Sequence, residues 1–148
     1  MLVIIPFYNE EKRISKKEYN FLFTKFKQEK FLLVNDASTD KTLKILNNFK
    51  QLHSNVSVFT ILVNVGKAEA IRQALLQSDT TEANIAYIDA DLATPMEELY
   101  KMNIFQTENP NYNFIMGSRI KRLGSIIKRY TYRHYLGRFF ATIVSSGI

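Results

Sequence analysis

The chain has 148 residues, is 46% hydrophobic, carries a formal net charge of +6 and contains no cysteine. Its length fits one domain and its apolar content can form a buried core, which excludes a disordered chain. The lack of cysteine excludes a disulfide framework and a thiolate metal site.

The charge is divided unevenly along the chain. All 14 acidic residues lie at or before Glu108, together with 13 of the 20 basic residues, so this part has a net charge of −1. The last 40 residues contain seven basic residues and no acidic one. We therefore predict a nearly neutral core, residues 1–119, followed by a basic, aromatic segment, residues 120–148.

The chain begins with an apolar run that predicts a buried strand. Leu2–Ile5 is continuously apolar, and Pro6 is expected to end the strand. The run is short and has no basic leader, so we do not expect a signal peptide. Helical composition follows from Glu10 to about Lys30, with Asn9 as the expected N-cap. No apolar run of the sequence reaches the length of a membrane span.

Strand, polar loop and helix then repeat. Further apolar runs predict strands over residues 31–34, 56–63, 84–89 and 113–116. The helices between them are expected to begin after a Ser38 or Thr39 cap, after Gly66-Lys67, and at Pro95. This alternation predicts an α/β open sheet with right-handed crossovers.

In such a sheet, ligands bind outside the carboxyl ends of the strands. The polar clusters of this sequence all follow predicted strands, so we expect five loops to converge on one edge. The clusters are Tyr8-Asn9-Glu10, Asp36, Gly66-Lys67, Asp89 with Asp91, and Arg119.

Two carboxylates, Asp89 and Asp91, follow the fourth predicted strand. If this strand extends to Asp89, alternation places both side chains on the same side of the chain. A turn, a pair of hydrolase carboxylates and a metal site are the possible interpretations. Hydrolase carboxylates lie across a bond, about 5–9.5 Å apart, so the close spacing favours Mg²⁺ or Mn²⁺ shared with a phosphate-bearing substrate.

Asp36 ends the second predicted strand. An EF-hand loop starting there is excluded, because Lys41 and Asn47 occupy the positions that require Gly and Glu. Helix capping explains residues 38–40 but leaves Asp36 unexplained. Its carboxylate suits hydrogen bonds from a nucleobase or a ribose.

Other nucleotide motifs are missing from the sequence. It contains neither G-x-G-x-x-G after the first strand nor a P-loop, so hydride transfer and P-loop phosphoryl transfer lose support. Gly66-Lys67 alone indicates only a turn with a solvated lysine. If the neighbouring loops face it, Lys67 becomes a phosphate or base contact.

The basic segment has three interpretations: a solvated helix face, a nucleic-acid surface or a contact with anionic lipid. Arg129 and Arg133 share one helical face, and a second face is apolar and aromatic. Such segregation favours the membrane, and no nucleic-acid-binding motif supports the alternative. The second face consists of Tyr132, Leu136, Phe139 and Ile143.

With these loops in order, the sequence resembles glycosyltransferase family 2, and within it the polyprenyl-phosphate (dolichyl-phosphate) sugar synthases. The resemblance covers essentially the whole chain. The 91–95 segment, Asp-Leu-Ala-Thr-Pro, is most similar to the dolichyl-phosphate glucosyltransferase branch, whose donor is UDP-glucose. The other segments that carry it are 3–11, 35–42, 64–67 and 117–119.

The resemblance implies a GT-A nucleotide-sugar-binding fold, a Rossmann-like, mostly parallel sheet flanked by helices. Asp91 and Arg119 would be the catalytic residues, Asp91 binding Mg²⁺ or Mn²⁺ and Arg119 facing a phosphate. Asp89 would approach the ribose or the metal, and Arg129 and Arg133 would contact the acceptor phosphate or the membrane. The nucleotide sugar would be bordered by Pro6, Tyr8, Glu10, Asp36, Gly66 and Lys67.

Three departures from the family pattern are visible. Asn35 stands where the first of two aspartates is frequent, and Ala93 stands where mannosyl relatives can carry a metal-binding glutamine. The alanine weakens a GDP-mannose assignment. The family pattern continues past the position of Ile148, so we expect the full-length protein to extend beyond it.

The function implied is inverting, metal-dependent transfer of a sugar, glucose from UDP-glucose, to a polyprenyl phosphate. The acceptor phosphate has a second pKa of about 6 and is largely anionic at neutral pH, so a strong general base is not required. We expect a cytoplasmic protein, peripheral to or anchored on the membrane, with no nucleic-acid partner. The alternatives are a family 2 transferase acting on a sugar hydroxyl in glycan synthesis, and a non-catalytic basic module that binds membranes or nucleic acid.

Overall fold

The structure is a computed structural model that describes residues 1–78 and 82–117. The chain divides into two compact units, Met1–Asn111 and Tyr112–Ile148. The helices and strands below all belong to the first unit. The boundary predicted after residue 119 stays a prediction.

The first unit alternates strands with helices, which confirms the predicted α/β fold. Its four strands form one parallel sheet in the order β3-β2-β1-β4. From β1 the chain adds β2 and β3 on one side and then β4 on the other, so the direction of strand addition reverses between β1 and β4. In α/β sheets of this kind, ligands bind at such a switch point. The elements are β1 (Leu2–Phe7), α1 (Lys16–Lys25), β2 (Lys30–Asp36), α2 (Thr42–Leu52), β3 (Val56–Ile61), α3 (Lys67–Gln77), β4 (Ile85–Tyr87) and α4 (Met96–Glu108).

Helices cover both faces of the sheet. Side chains alternate along β1, so Val3 and Ile5 lie in a core formed with α1, α2 and α4, while Leu2 and Ile4 lie in a second core with α3. Both faces are therefore buried, which explains why the central strands are continuously apolar.

Pro6 separates β1 from β4. The β1–β4 ladder includes hydrogen bonds from the Leu2 N–H to the Asn84 carbonyl, 3.0 Å, and from the Ile88 N–H to the Ile4 carbonyl, 3.1 Å. Pro6 is the next residue of β1 on this side, and it has no N–H to donate. Pro6 does not end β1 as predicted, because the strand runs on to Phe7 beside β2. It ends the ladder with β4, so the two strands can part at the switch point.

The first helix begins later than predicted. Asn9 is not its N-cap but adopts a left-handed conformation with φ 52°. The Glu10 carbonyl accepts hydrogen bonds from the N–H groups of Arg13 and Ile14, which forms a separate turn. The N-cap is Ser15, whose side chain accepts from the Glu18 N–H.

The predicted fifth strand is wrong within the residues that the structure describes. Residues 113–116 adopt no regular secondary structure, and Phe114 and Met116 are largely exposed. An apolar run becomes a strand only beside a neighbour that satisfies its backbone groups, and local sequence does not specify that neighbour. Within the described residues, 1–78 and 82–117, no helix is both long and apolar enough to cross a bilayer.

Candidate functional site

Four loops follow the carboxyl ends of the four strands, at the edge of the sheet where the site was predicted. They are residues 8–15, 37–41, 62–66 and 88–95. Because the strands are parallel, these loops emerge at the same edge of the sheet. The fifth predicted contributor, Arg119, lies outside the described residues, as do Arg129 and Arg133.

The loops after β1 and β2 are joined by reciprocal hydrogen bonds. The backbone N–H of Asn9 donates to Ser38 Oγ, 3.1 Å, and the N–H of Thr39 donates to Asn9 Oδ1, 2.8 Å. Ser38 and Thr39 therefore do not cap α2 as predicted. Their polar groups join the two loops across about thirty residues of sequence.

A second set of bonds continues this junction. The Glu11 N–H donates to Asp40 Oδ2, 3.0 Å, while Glu11 Oε2 accepts from the Lys41 N–H, 3.1 Å. Glu10 donates its own N–H to Thr42 Oγ1, 2.9 Å. Burial opposes ionisation of Asp40, but hydrogen bonds from Thr42 and Glu11 outweigh it and lower the pKa of Asp40 below its usual 3.8. These hydrogen bonds therefore join the two loops into one structure at this edge of the sheet.

Asp36 is buried, with 3% of its surface exposed, and it organises the loop after β3. Its Oδ1 accepts from the Val65 N–H, 2.9 Å, and its Oδ2 accepts from the Gly66 N–H, 2.9 Å. Asn64 Nδ2 also donates to Oδ2, 3.0 Å. The carboxylate lies beside the N-terminus of α3, where the helix dipole favours negative charge. The structure therefore gives Asp36 a loop-positioning role, and its contact with a base stays a prediction.

Gly66 supplies a backbone conformation that other residues rarely adopt. Its φ of 83° and ψ of 157° lie in a region used almost only by glycine. A Cβ added there would meet nothing within 4 Å, so backbone conformation rather than space selects glycine. This conformation turns the chain into α3 directly before Lys67.

Lys67 and Asp89 form an ion pair that brings the loops after β3 and β4 together. Both side chains remain about half exposed. Lys67 Nζ also lies 5.8 Å from the ring centroid of Tyr87, within the range of a cation–π contact. The condition for Lys67 to act as a ligand-binding residue, that another loop faces it, is therefore met.

The two predicted metal ligands lie in a turn rather than on a strand. β4 ends at Tyr87, and the Leu92 N–H donates to the Asp89 carbonyl, 3.1 Å. Strand alternation therefore does not apply to Asp89 and Asp91, and that part of the argument was wrong. Asp91 Oδ1 accepts from the Ala93 N–H, 3.0 Å, which fixes its side chain in the turn. Both carboxylates are exposed at the edge.

The donor set fits a hard cation that a phosphate ligand helps to bind. In residues 1–78 and 82–117, no group of three or more His, Asp or Glu side chains forms a metal cage. Mg²⁺ and Mn²⁺ do not need one, because Mg²⁺ in particular is usually held by one or two carboxylates together with substrate phosphates and water. Asp89 and Asp91 supply such a pair, while the position of Lys67 suits the same phosphates.

Tyr8 is the first side chain after β1, and it is 49% exposed. It follows directly after the point where β1 and β4 separate. An exposed aromatic ring at this edge of the sheet is suited to pack against a planar ligand or a sugar. Pro6, by contrast, is partly buried within β1 and acts through the shape of the sheet.

The sequence reasoning missed Tyr19 on α1. Its hydroxyl donates to the carbonyl of Ala90, 2.7 Å, between the two carboxylates. A tyrosine on a helix face otherwise formed by Phe and Leu was a usable signal, because a buried tyrosine hydroxyl normally has a polar partner. Sequence alone could not indicate which partner.

The sequence profile of glycosyl transferase family 2 matches residues 2–145. The chain belongs to this family. The match confirms the predicted resemblance to glycosyltransferase family 2. Membership of this family supports the prediction of an enzyme of the hexosyltransferase type.

A similar curated relative is dolichyl-phosphate beta-glucosyltransferase ALG5A of Trichomonas vaginalis. The two are 30% identical over 158 residues, which cover 99% of this chain and 48% of the relative. This family 2 chain therefore spans about half the length of that relative.

Two solved structures share the fold. S. aureus TarS 1–349 in complex with UDP-GlcNAc has a TM-score of 0.58 and 29% identity, covering 74% of this chain and 31% of the TarS chain. Mannosyltransferase PcManGT from Pyrobaculum calidifontis, in complex with GDP-Man and Mn²⁺, has a TM-score of 0.59 and 25% identity, covering 74% and 32%. These structures confirm the predicted GT-A type of fold.

Proposed function

We propose that this family 2 chain binds the donor of an enzyme that transfers glucose from UDP-glucose to a polyprenyl phosphate. The observation that carries the proposal is the ion pair between Lys67 and Asp89, two residues before Asp91, at the switch point of the sheet. This arrangement offers two anionic ligands and one cation to a diphosphate. The ALG5A relative, a dolichyl-phosphate beta-glucosyltransferase by name, supports the choice of acceptor and sugar.

The diphosphate would lie over the loops that follow β3 and β4. Asp89 and Asp91 would hold Mg²⁺ or Mn²⁺, which would neutralise the negative charge that develops on the departing UDP. Lys67 would exchange its ion pair with Asp89 for an ion pair with a phosphate oxygen. That exchange costs little, because an exposed ion pair contributes only about 0.2–1 kcal/mol.

The nucleoside would lie in the cleft between β1 and β4. The Tyr8 ring would pack against it, and Pro6 would keep the cleft open. The other predicted nucleotide-binding residues would build the walls of this cleft, since their polar groups already hold the loops in place. These residues are Glu10, Asp36 and Gly66.

In the transfer step, an acceptor phosphate oxygen would attack the anomeric carbon from the face opposite to UDP. The new bond to the phosphate oxygen would form as the bond to UDP breaks, with inversion at that carbon. A phosphate acceptor that is already anionic loses no proton, so no general base is needed. A sugar hydroxyl acceptor, in contrast, would need one.

The basic segment would bring the protein to its acceptor. Arg119 would face a phosphate, and Arg129 and Arg133 would contact the acceptor phosphate or the membrane surface. Each Lys or Arg close to an anionic membrane contributes roughly 1 kcal/mol of attraction. We therefore propose a protein at the cytoplasmic face, peripheral to or anchored on the membrane.

The test is to incubate the protein with Mn²⁺, a polyprenyl phosphate and, separately, UDP-glucose, UDP-GlcNAc and GDP-mannose, and then to identify the lipid product by mass spectrometry. A polyprenyl-phosphate glucose formed with UDP-glucose is the expected result. The Asp91→Asn variant is the control and should form none. A product only with a sugar acceptor in place of the lipid phosphate would overturn the proposed acceptor.

A further inference from the structure

Tyr19 connects the aromatic core to the edge of the sheet. Its side chain is 1% exposed, and its ring packs against Phe7, Phe23 and Phe49 with centroid distances of 5.4–5.8 Å. These contacts fix the ring. Its hydroxyl reaches out of this cluster and donates to the Ala90 carbonyl, 2.7 Å.

The segment that receives this hydrogen bond is a turn with little regular support. The β1–β4 ladder ends with the bond from Ile88 to Ile4. Leu92 adopts φ 51°, a left-handed conformation that is unfavourable for a residue with a Cβ. A turn of this kind persists only when its surroundings hold it in place.

The Ala90 carbonyl is well placed to orient Asp91. The peptide group that joins Ala90 to Asp91 is planar, so the position of its oxygen also sets the direction of the Asp91 N–Cα bond. Asp91 is then fixed further by its own bond to the Ala93 N–H. A donor that holds the Ala90 oxygen therefore acts on the carboxylate one residue away.

We propose that Tyr19 is a positioning residue whose hydroxyl, through the Ala90 carbonyl, holds the turn that presents Asp89 and Asp91. That the presented carboxylates then bind a metal nucleotide rests on the proposed function. Burial raises the pKa of Tyr19, and the nearby carboxylates of Glu10 and Asp91 raise it further. The hydroxyl therefore remains a hydrogen-bond donor throughout the neutral pH range.

Tyr19→Phe removes the hydroxyl and keeps the ring packing. Tyr100→Phe is a matched control, because Tyr100 also donates one hydrogen bond of 2.7 Å, to Glu29 Oε1, from a helix on the same side of the sheet. The two substitutions delete the same atom. Of the two hydroxyl groups, only that of Tyr19 is hydrogen-bonded to the turn.

The first measurement is amide hydrogen exchange in the absence of any nucleotide or metal. In Tyr19→Phe, the N–H groups of Leu92 and Ala93, which are bonded within the turn, should exchange roughly two- to ten-fold faster, the range that corresponds to one net hydrogen bond. In Tyr100→Phe they should exchange as in the unaltered protein. Unchanged exchange in Tyr19→Phe, or equal acceleration in both variants, would overturn the proposal.

The second measurement is the dissociation constant for UDP in the presence of Mn²⁺. Tyr19→Phe should raise it roughly two- to ten-fold, whereas Tyr100→Phe should leave it unchanged even if both variants lose the same stability in urea. If the unaltered protein binds no UDP while the exchange result holds, the proposed function fails and the role of Tyr19 in the turn stands. Equal UDP affinity in both variants would contradict the link to ligand binding.

Discussion

Lys67 and Asp89 form an ion pair although they lie 22 residues apart in sequence. The pair joins the start of α3 to the segment after β4, on the two sides of the proposed diphosphate position. Because both side chains are about half exposed, each can exchange its partner for a ligand without leaving a buried charge unpaired.

Replacing Lys67 with Met should weaken UDP binding far more than it weakens the fold. A hydrogen bond to a charged group contributes about 1.5–3 kcal/mol, so the dissociation constant for UDP with Mn²⁺ should rise by roughly ten-fold or more. The free energy of unfolding should change by less than about 1 kcal/mol. Calorimetric titration and urea unfolding measure the two quantities. Lys101→Met is the control, since Lys101 forms a comparable exposed pair with Glu98; equal affinities in the two variants would contradict the assignment.

Substitution of Asp91 separates its charge from its role in the turn. Asp91→Asn keeps an oxygen that can accept from the Ala93 N–H, whereas Asp91→Ala removes it. Both variants should lose Mn²⁺-dependent UDP binding, but only Asp91→Ala should also show faster exchange of the Ala93 amide hydrogen. Titration heats with UDP and Mn²⁺ that match the unaltered protein would show that Asp91 does not bind the metal.

Asp36→Asn should destabilise the first unit. An amide group cannot accept all three hydrogen bonds that the carboxylate receives from residues 64–66. A hydrogen bond to a charged group contributes about 1.5–3 kcal/mol, so loss of one of the three should lower the urea midpoint accordingly. Glu98→Gln on the exposed surface of α4 is the control and should change the free energy of unfolding by about 0.5 kcal/mol or less. Similar losses in both variants would argue against the loop-positioning role.

The contribution of Asp40 to stability should disappear in acid. Its pKa is lowered in the folded state from the usual 3.8, so its stabilising effect is fully present above pH 3.8 and is lost as the pH falls through the folded pKa. Between about pH 6 and pH 2, the free energy of unfolding should therefore fall less steeply for Asp40→Asn than for the unaltered protein. Parallel pH profiles for the two proteins would show that folding does not lower the pKa of Asp40.

The four strands that form the sheet were predictable because their signal is local. A central parallel strand is buried on both faces, so continuous apolar runs such as Phe31–Val34 identify it without knowledge of its neighbours. The convergence of the loops on one edge followed from parallel connection alone. The ends of the strands were predicted less accurately, since β4 is three residues long where six were expected.

The wrong helix caps and the missed Tyr19 contact have a different cause, namely hydrogen bonds between residues distant in sequence. Asn9, Ser38 and Thr39 are all good helix-capping residues, yet each forms its bonds across the junction between two loops. The contact of Tyr19 with Ala90 spans 71 residues, and nothing in the local pattern identifies that carbonyl. The candidate carboxylates could be named from sequence, but the groups that hold them could not.

The junction between residues 9–11 and 38–41 also governs which segments relatives of this protein can exchange by recombination. Each loop supplies side-chain acceptors for the backbone N–H groups of the other. A chimaera that inherits one loop without its counterpart would leave several of these groups unbonded. The two segments, although almost thirty residues apart, should therefore be inherited as one unit.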